Sequence, residues 1–211
     1  MLAVAAQFEP KDASEAFRMF ITWGVRLIIA STTSRGSIEV PLADAAHLVF
    51  TKEITNAAAL RKQVSEIIPS DEEFRRAFEI ATVSKAQFAR YYLRSLEMAA
   101  KGEATPWFIP NDDTQAINLE HVLPENPEGN WPEFDEDTAR IYVRRVGNLA
   151  LLLAKSNADL RSNDFRKKKA IYKNSPYELT RMIAKLSSWT KTEIALRQKS
   201  LAGLALKAWP L

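Results

Sequence analysis

The stretch INLEHVLPENPEGNW, residues 117–131, is the most informative part of the chain for its fold class. Its first part, INLEHVL, has the length and the branched side chains of a short β-strand. The prolines and the glycine that follow make a long helix unlikely in this region. The same stretch contains one of the two histidines of the chain, His121, which stands directly after Glu120 and three residues before Pro124. The histidine beside a carboxylate makes this strand the first candidate for a functional site.

A second strand and a helix follow it along the chain. VGNLALLL, residues 146–153, is another apolar run of strand length, and Ser156–Asn157 ends it with turn-forming residues. NDFRKKKAIYKN, residues 163–174, is typical of a helix. The order strand, strand, helix predicts a small ββα unit near residues 117–173.

Helical patterns dominate the rest of the chain. Apolar residues recur at helical spacing between Ala13 and Ala30. Three capping boxes predict helix starts, and they are Ser70 with Glu73, Ser84 with Gln87, and Thr190 with Glu193. We therefore predict a predominantly α-helical α+β chain. Residues 1–110 form a helical scaffold and lead-in region, and residues 111–211 form the functional region with its C-terminal helices, packed as one compact unit.

Composition limits the classes of protein that fit. The 211 residues include no cysteine, which excludes disulfides and thiolate metal sites and suits a reducing cytoplasm. The longest apolar run, FITWGVRLIIA, is interrupted by Arg26 and is too short to span a bilayer. The opening MLAVAAQFEP lacks the basic segment of a signal peptide. We expect a cytoplasmic protein that does not associate with a membrane.

Positive charge is concentrated in one part of the chain. From Arg140 to Lys173 the sequence has ten Lys or Arg residues against two Asp residues. Such an excess suits a polyanion such as nucleic acid. A solvated basic face is the alternative interpretation, because a run of like charge often has no partner.

The predicted ββα unit brings suitable groups together for phosphodiester hydrolysis. A histidine on the first strand, with a carboxylate beside it, can face an amide side chain at the start of the helix. Mg²⁺ and Mn²⁺ prefer carboxylate and amide oxygens as ligands and keep several waters. The imidazole could then deprotonate a water while the metal stabilises the scissile phosphate and the leaving 3′-oxygen.

The residues in these segments resemble a known nuclease motif. Glu120-His121-Val-Leu-Pro124, Gly147-Asn148-Leu-Ala-Leu-Leu152 and Ser156-Asn157 look like the three parts of the HNH (ββα-metal) motif. More narrowly, the chain resembles the C-terminal nuclease domain of GmrSD-type restriction endonucleases, which are modification-dependent antiphage systems. The resemblance extends from about residue 70 to the end of the chain and includes NDFRKKK at 163–169 and YKNS at 172–175.

This resemblance implies a role for each motif residue. His121 would be the general base, and Asn148 would complete the catalytic set by holding the loop that orients His121. Glu120 and Asn157 would bind the metal, Mg²⁺ or Mn²⁺, although HNH nucleases more often carry Asp at the position of Glu120. The residues that would contact DNA are Arg166, Lys167, Lys168, Lys169 and Arg197.

The predicted function is a metal-dependent endonuclease that nicks or cleaves foreign or modified DNA. Two alternatives stay open. One alternative is a nucleic-acid-binding helical module that has lost activity, and the unusual Glu120 is the feature that supports it. The other is a nuclease directed at RNA, because DNA and RNA present the same phosphates to a basic surface. GmrSD-type proteins usually bring an NTPase domain, and no phosphate-binding GxxxxGK[ST] loop occurs here. We therefore expect that such a sensor domain, or a partner subunit that carries it, lies outside this chain.

Overall fold

The computed structural model describes residues 1–30, 38–102, 116–127, 129–154, 160 and 162–211. Helices make up most of these residues, and a single pair of strands is found among them, so the prediction of a predominantly helical α+β chain is confirmed. The first helices are α1 (Leu2–Gln7), α2 (Pro10–Ala30), α3 (Glu39–Phe50), α4 (Ala57–Val64), α5 (Asp71–Phe78) and α6 (Ala86–Lys101). Then follow β1 (Ile117–His121), α7 (Glu136–Tyr142), β2 (Leu149–Leu153), α8 (Phe165–Tyr172), α9 (Glu178–Ile183) and α10 (Lys191–Ala208).

The chain divides into two compact units, of which the first comprises Met1–Ala77 together with Trp209–Leu211. The apolar faces of its helices form one core, which includes Trp23, Val49 and Leu60. The guanidinium of Arg26 is fully buried in this unit and donates hydrogen bonds to the carbonyl oxygens of Pro69 and Trp209. A buried cation is tolerated here because its N–H groups have partners.

The second unit comprises Phe78–Ala208 and contains all the residues of the predicted ββα unit. Strands β1 and β2 pair antiparallel, with Ile117 opposite Leu153 and His121 opposite Leu149. A single turn of 3-10 helix, Val146–Asn148, leads directly into β2. The antiparallel pairing therefore brings the end of β1, with His121, beside this turn.

The core of the second unit supports the strand pair and the segments that follow each strand. Its buried members include Val122 and Leu123 after β1 and Ala150 and Leu152 on β2. Tyr172, Ile183 and Ile194 on the later helices, and Trp189 just before α10, complete the set. Complete burial of one large apolar side chain contributes roughly 1.5–3 kcal/mol to the stability of the folded state. The residues around His121 are consequently held on a well-packed base.

Most predicted elements are confirmed, with three differences. The capping box predicted at Ser84 and Gln87 is wrong, because the N-cap of α6 is Lys85 and it makes no side-chain capping hydrogen bond. Residues 146–148 of the expected second strand form the 3-10 turn instead, because a tight turn is needed before Leu149 can pair with His121. The third difference is the helix α7 at the acidic residues Asp135, Glu136 and Asp137, where the sequence patterns predict no element. Asp135 caps α7 by accepting a hydrogen bond from the Thr138 N–H at 2.7 Å, and the other two begin the helix.

The predicted boundary between residues 110 and 111 lies outside the described residues, so the division into 1–110 and 111–211 stays a prediction. The α1 and α7 helices were not anticipated, because each has fewer than two full turns of periodic pattern. No helix within the described ranges is both long and apolar enough to cross a bilayer.

A Gly147→Ala substitution is expected to destabilise the second unit by about 1–3 kcal/mol, because overpacking a tight contact costs that much. A Cβ at Gly147 would lie 2.4 Å from the Ile194 carbonyl oxygen and 2.8 Å from Gln198 Cβ. Gly203→Ala is the matched control, since a Cβ at this site on α10 has nothing within 4 Å. Urea unfolding followed by circular dichroism measures both, and equal stability of the two variants would contradict the close approach.

Candidate functional site

His121 is the last residue of β1, and it lies half-buried in the second unit. Burial lowers the pKa of its imidazole below the usual value, and the positive charges of Lys168 and Arg144 act in the same direction. The carboxylate of Glu125 opposes them by favouring the protonated ring. The net direction keeps the imidazole neutral near neutral pH, which is the form that can accept a proton.

Asn148 fixes the backbone that follows His121. Its side-chain oxygen accepts hydrogen bonds from the Leu123 N–H at 2.8 Å and from the Trp189 indole N–H at 3.0 Å. Its amide nitrogen donates to the carbonyl oxygens of Leu123 and Val143, both at 2.9 Å. Because Asn148 is fully buried and uses both donors and both acceptor positions, its orientation is determined by its partners.

The backbone of Asn148 reinforces this connection. Its carbonyl oxygen accepts a hydrogen bond from the Val122 N–H at 3.0 Å. Residues 122 and 123 are thus bonded to Asn148 through main chain and side chain together. These are the contacts that the predicted role of Asn148 requires, since they hold the chain directly after His121.

Glu120 lies on the buried side of the same strand and forms an ion pair with α8. Lys168 Nζ and the Tyr172 hydroxyl each donate to Glu120 Oε1 at 2.7 Å. The Lys168 and Tyr172 side chains are completely buried, and Glu120 is 6% exposed. Lys168 Nζ also donates to the His121 carbonyl oxygen at 2.7 Å. Lys168 therefore connects α8 to the Glu120 carboxylate and to the His121 backbone.

Burial acts on the charges of this trio. It raises the pKa of Glu120, and the adjacent Lys168 and Tyr172 oppose that rise by stabilising the carboxylate. Burial lowers the pKa of Lys168, and the negative charge and hydrogen bond of Glu120 oppose this lowering. The short distances are those of charge-assisted hydrogen bonds, so each charge is tolerated because the other is present.

A model of a known family matches this region of the chain. The match is to the C-terminal domain of GmrSD restriction endonucleases, over residues 68–204, which is more than half of the chain. The chain belongs to this family. Membership indicates nuclease chemistry and a DNA substrate at the level of the family. A search of curated proteins returned no match.

The residues predicted to contact DNA in this GmrSD C-terminal domain have different surroundings. Arg166 and Lys167 are exposed on α8, and Lys169 is partly exposed. Lys168 points inward to Glu120. Arg197 donates to the carbonyl oxygens of Gly147 at 2.6 Å and Leu149 at 2.8 Å, which stabilises the turn before β2. The arrangement favours a structural role for Lys168 and Arg197, and their contact with DNA stays a prediction.

The predicted metal ligands of the GmrSD C-terminal domain are only partly described. Asn157 lies outside the described residues. Glu120 Oε1 already accepts two hydrogen bonds in a site closed to solvent, whereas Mg²⁺ keeps several of its waters. Glu120 in this arrangement does not fit direct ligation of a hydrated cation. Among the described residues, no group of three or more His, Cys, Asp or Glu could hold a metal ion.

Two residues that matter for the site were not singled out from the sequence. Tyr172 stands four residues after Lys168, so it lies on the same helix face, and this spacing could have identified it. Gln198 is fully buried, accepts from the Gly147 N–H at 3.2 Å, and donates to the Phe78 and Ala81 carbonyl oxygens at 2.8 Å. No local pattern signals Gln198, because its partners are distant in the sequence.

Proposed function

We propose that this chain is an endonuclease that hydrolyses phosphodiester bonds in foreign or modified DNA, as part of antiphage restriction, with His121 as the general base. The observation that carries the proposal is the environment of His121. Burial favours its neutral form, Asn148 holds the residues after it, and Lys168 binds its carbonyl oxygen. A base in a fixed position with a pKa below neutrality suits proton abstraction from water.

The proposed reaction exchanges one bond at phosphorus and transfers one proton to His121 and one to the leaving oxygen. The neutral imidazole of His121 takes a proton from a water molecule, whose oxygen attacks the phosphorus of the scissile phosphodiester. The new P–O bond forms as the bond to the 3′-oxygen breaks. That oxygen takes a proton from solvent water and leaves as a hydroxyl, and the imidazolium of His121 returns its proton to solvent. General-base catalysis of this kind contributes about 10²–10⁴-fold to a rate.

A requirement for Mg²⁺ or Mn²⁺ is part of the proposal, and it is supported by the family to which the chain belongs. No step is assigned to the metal for two reasons. Of its two predicted ligands, Glu120 is bonded to Lys168, and Asn157 lies outside the described residues. The dependence on a partner that carries an NTPase domain is likewise a prediction from the resemblance alone.

One observation favours a second candidate function. The Glu120 carboxylate, which the resemblance makes a metal ligand, is neutralised by Lys168 in a buried ion pair. A domain with its carboxylate used in this way could bind nucleic acid without cleaving it. An RNA substrate has no separate observation in its favour.

Cleavage of supercoiled plasmid tests the proposal. Plasmid propagated in modifying and non-modifying hosts is incubated with the full chain and Mg²⁺, Mn²⁺ or EDTA. We expect nicked or linear product with a divalent cation and none with EDTA, and the ratio of the two products distinguishes nicking from double-strand cleavage. Binding to every plasmid without cleavage of any would favour the inactive module or a nuclease that needs its partner.

The pH dependence of cleavage provides a further prediction. Because burial lowers the pKa of His121, the midpoint of the fall in rate at low pH should lie below 6.5. The sign follows from the mechanism, since protonation of the imidazole removes the base, and the rate then falls about tenfold per pH unit. Single-turnover rates between pH 5 and 8 measure this. A midpoint clearly above 6.5 would contradict the assignment.

A further inference from the structure

A cleft of roughly 570 Å³ opens on the second unit. Its lining comes from three segments, residues 130–133, residues 165–173 on and after α8, and residues 187–190 before α10. Glu120, His121 and Asn148 do not line it. The volume lies within the range of protein sites that hold small molecules or parts of polymers.

The cleft receives three positive charges from one face of α8. Arg166, Lys169 and Lys173 all line it, and their spacing of three and four residues places them on the same side of the helix. The one acidic residue in the described lining is Glu133. Lys168, between them in sequence, points to the opposite side and is bound to Glu120. One face of α8 therefore presents Lys168 to the buried Glu120, and the opposite face presents Arg166, Lys169 and Lys173 to the cleft.

Aromatic side chains form a rigid base beneath these cations. The rings of Phe165 and Trp189 stack with centroids 5.7 Å apart, and Trp131 lies 6.4 Å from Phe165. The two tryptophans are buried, while Lys169 Nζ lies 5.7 Å from the Phe165 ring centroid. The charged end of Lys169 therefore lies against a packed aromatic surface, and the exposed hydroxyls of Ser187 and Ser188 add neutral donors.

We propose that this cleft is a phosphate-binding site that holds one strand of the DNA substrate away from the scissile bond. The inference rests on the proposed function and extends it, because it places Arg166 and Lys169, which the resemblance gives as DNA contacts, together with Lys173 in one defined cleft. Arginine and lysine bind phosphate oxygens by charge-assisted hydrogen bonds, and such contacts position a nucleic acid without reading its sequence. The excess of positive over negative charge in the cleft matches a phosphodiester backbone.

Binding measured as a function of salt tests the cleft separately from catalysis. The full chain with His121→Ala, in EDTA, is titrated into a fluorescein-labelled DNA duplex at several salt concentrations. Arg166→Gln, Lys169→Gln and Lys173→Gln should each reduce the slope of log K against log salt by about 0.9, the value for one phosphate contact. The triple variant should lose nearly three times as much. Lys199→Gln, an exposed site on α10 outside the cleft, is the control and should leave the slope unchanged.

Two results would overturn the proposal. One is an unchanged slope in the triple variant. The other is an equal loss in Lys185→Gln, which removes the same charge from an exposed site outside the cleft and would indicate a diffuse basic surface. The binding measurement involves no cleavage, so it tests the cleft independently of the nuclease activity. If the slopes change as expected but the wild-type protein does not cleave DNA, the proposed nuclease function is wrong and the binding cleft stands.

Discussion

His121→Ala is expected to reduce the rate of DNA cleavage by about 10²–10⁴-fold, which is the contribution of a general base. The protein should remain folded, because the side chain is only half-buried and its carbonyl oxygen can still accept the hydrogen bond from Lys168. Single-turnover cleavage of a labelled duplex, at matched concentrations of wild type and variant, measures the effect. DNA affinity should change little, since the imidazole is proposed to act on water.

Thermal unfolding and DNA binding of His121→Ala are the controls for that experiment. A variant that unfolds near the wild-type temperature, binds DNA and fails to cleave supports a role in catalysis. Lys199→Gln, which removes an exposed charge on α10, should cleave at the wild-type rate. Wild-type rates in His121→Ala would contradict the mechanism.

Lys168→Met is expected to destabilise the protein by about 3–5 kcal/mol, which is the usual cost of removing one partner of a buried ion pair. The Glu120 carboxylate would keep only the Tyr172 hydroxyl as a side-chain donor in a site that is 6% exposed. The His121 carbonyl oxygen would lose its bond to Lys168 as well. Urea unfolding monitored by circular dichroism gives the free energy of unfolding.

The double variant Glu120→Gln with Lys168→Met tests whether the unpaired charge causes this loss. Removing both charges should restore part of the stability, because buried pairs can often be replaced by neutral groups at little cost. Lys167→Met is the matched control, and at this exposed site the change should stay within about 0.5 kcal/mol. Equal stabilities of Lys168→Met and Lys167→Met would show that the buried pair is unimportant.

The positions of the strands could be predicted because short-range patterns determine them. Branched residues between proline-rich segments indicate a strand. The strand predicted over INLEHVL, residues 117–123, contains β1, which ends two residues earlier at His121. The family was also recognisable, since EHVLP and GNLALL stand in order and at short spacing. Local sequence therefore provides the strand that carries His121 and the turn that contains Asn148.

Which of the three consecutive lysines is buried and which are exposed could not be predicted in the same way. Lys167, Lys168 and Lys169 are consecutive and identical, so the sequence predicts DNA contact equally for each of them. Their directions depend on how α8 packs, and only Lys168 faces the distant Glu120. Arg197 is a similar case, because its carbonyl partners lie about fifty residues away. Long-range packing assigns these roles, and it leaves no periodic signal.

The proposal that His121 is the base can be tested by adding imidazole to His121→Ala. We predict that the variant's slow cleavage of labelled duplex increases with the concentration of neutral imidazole, while the wild-type rate does not change. The increase should follow the neutral fraction as pH is varied, because only that form accepts a proton. Folded, DNA-bound His121→Ala that cleaves at the wild-type rate, with no response to imidazole, would contradict the role of His121.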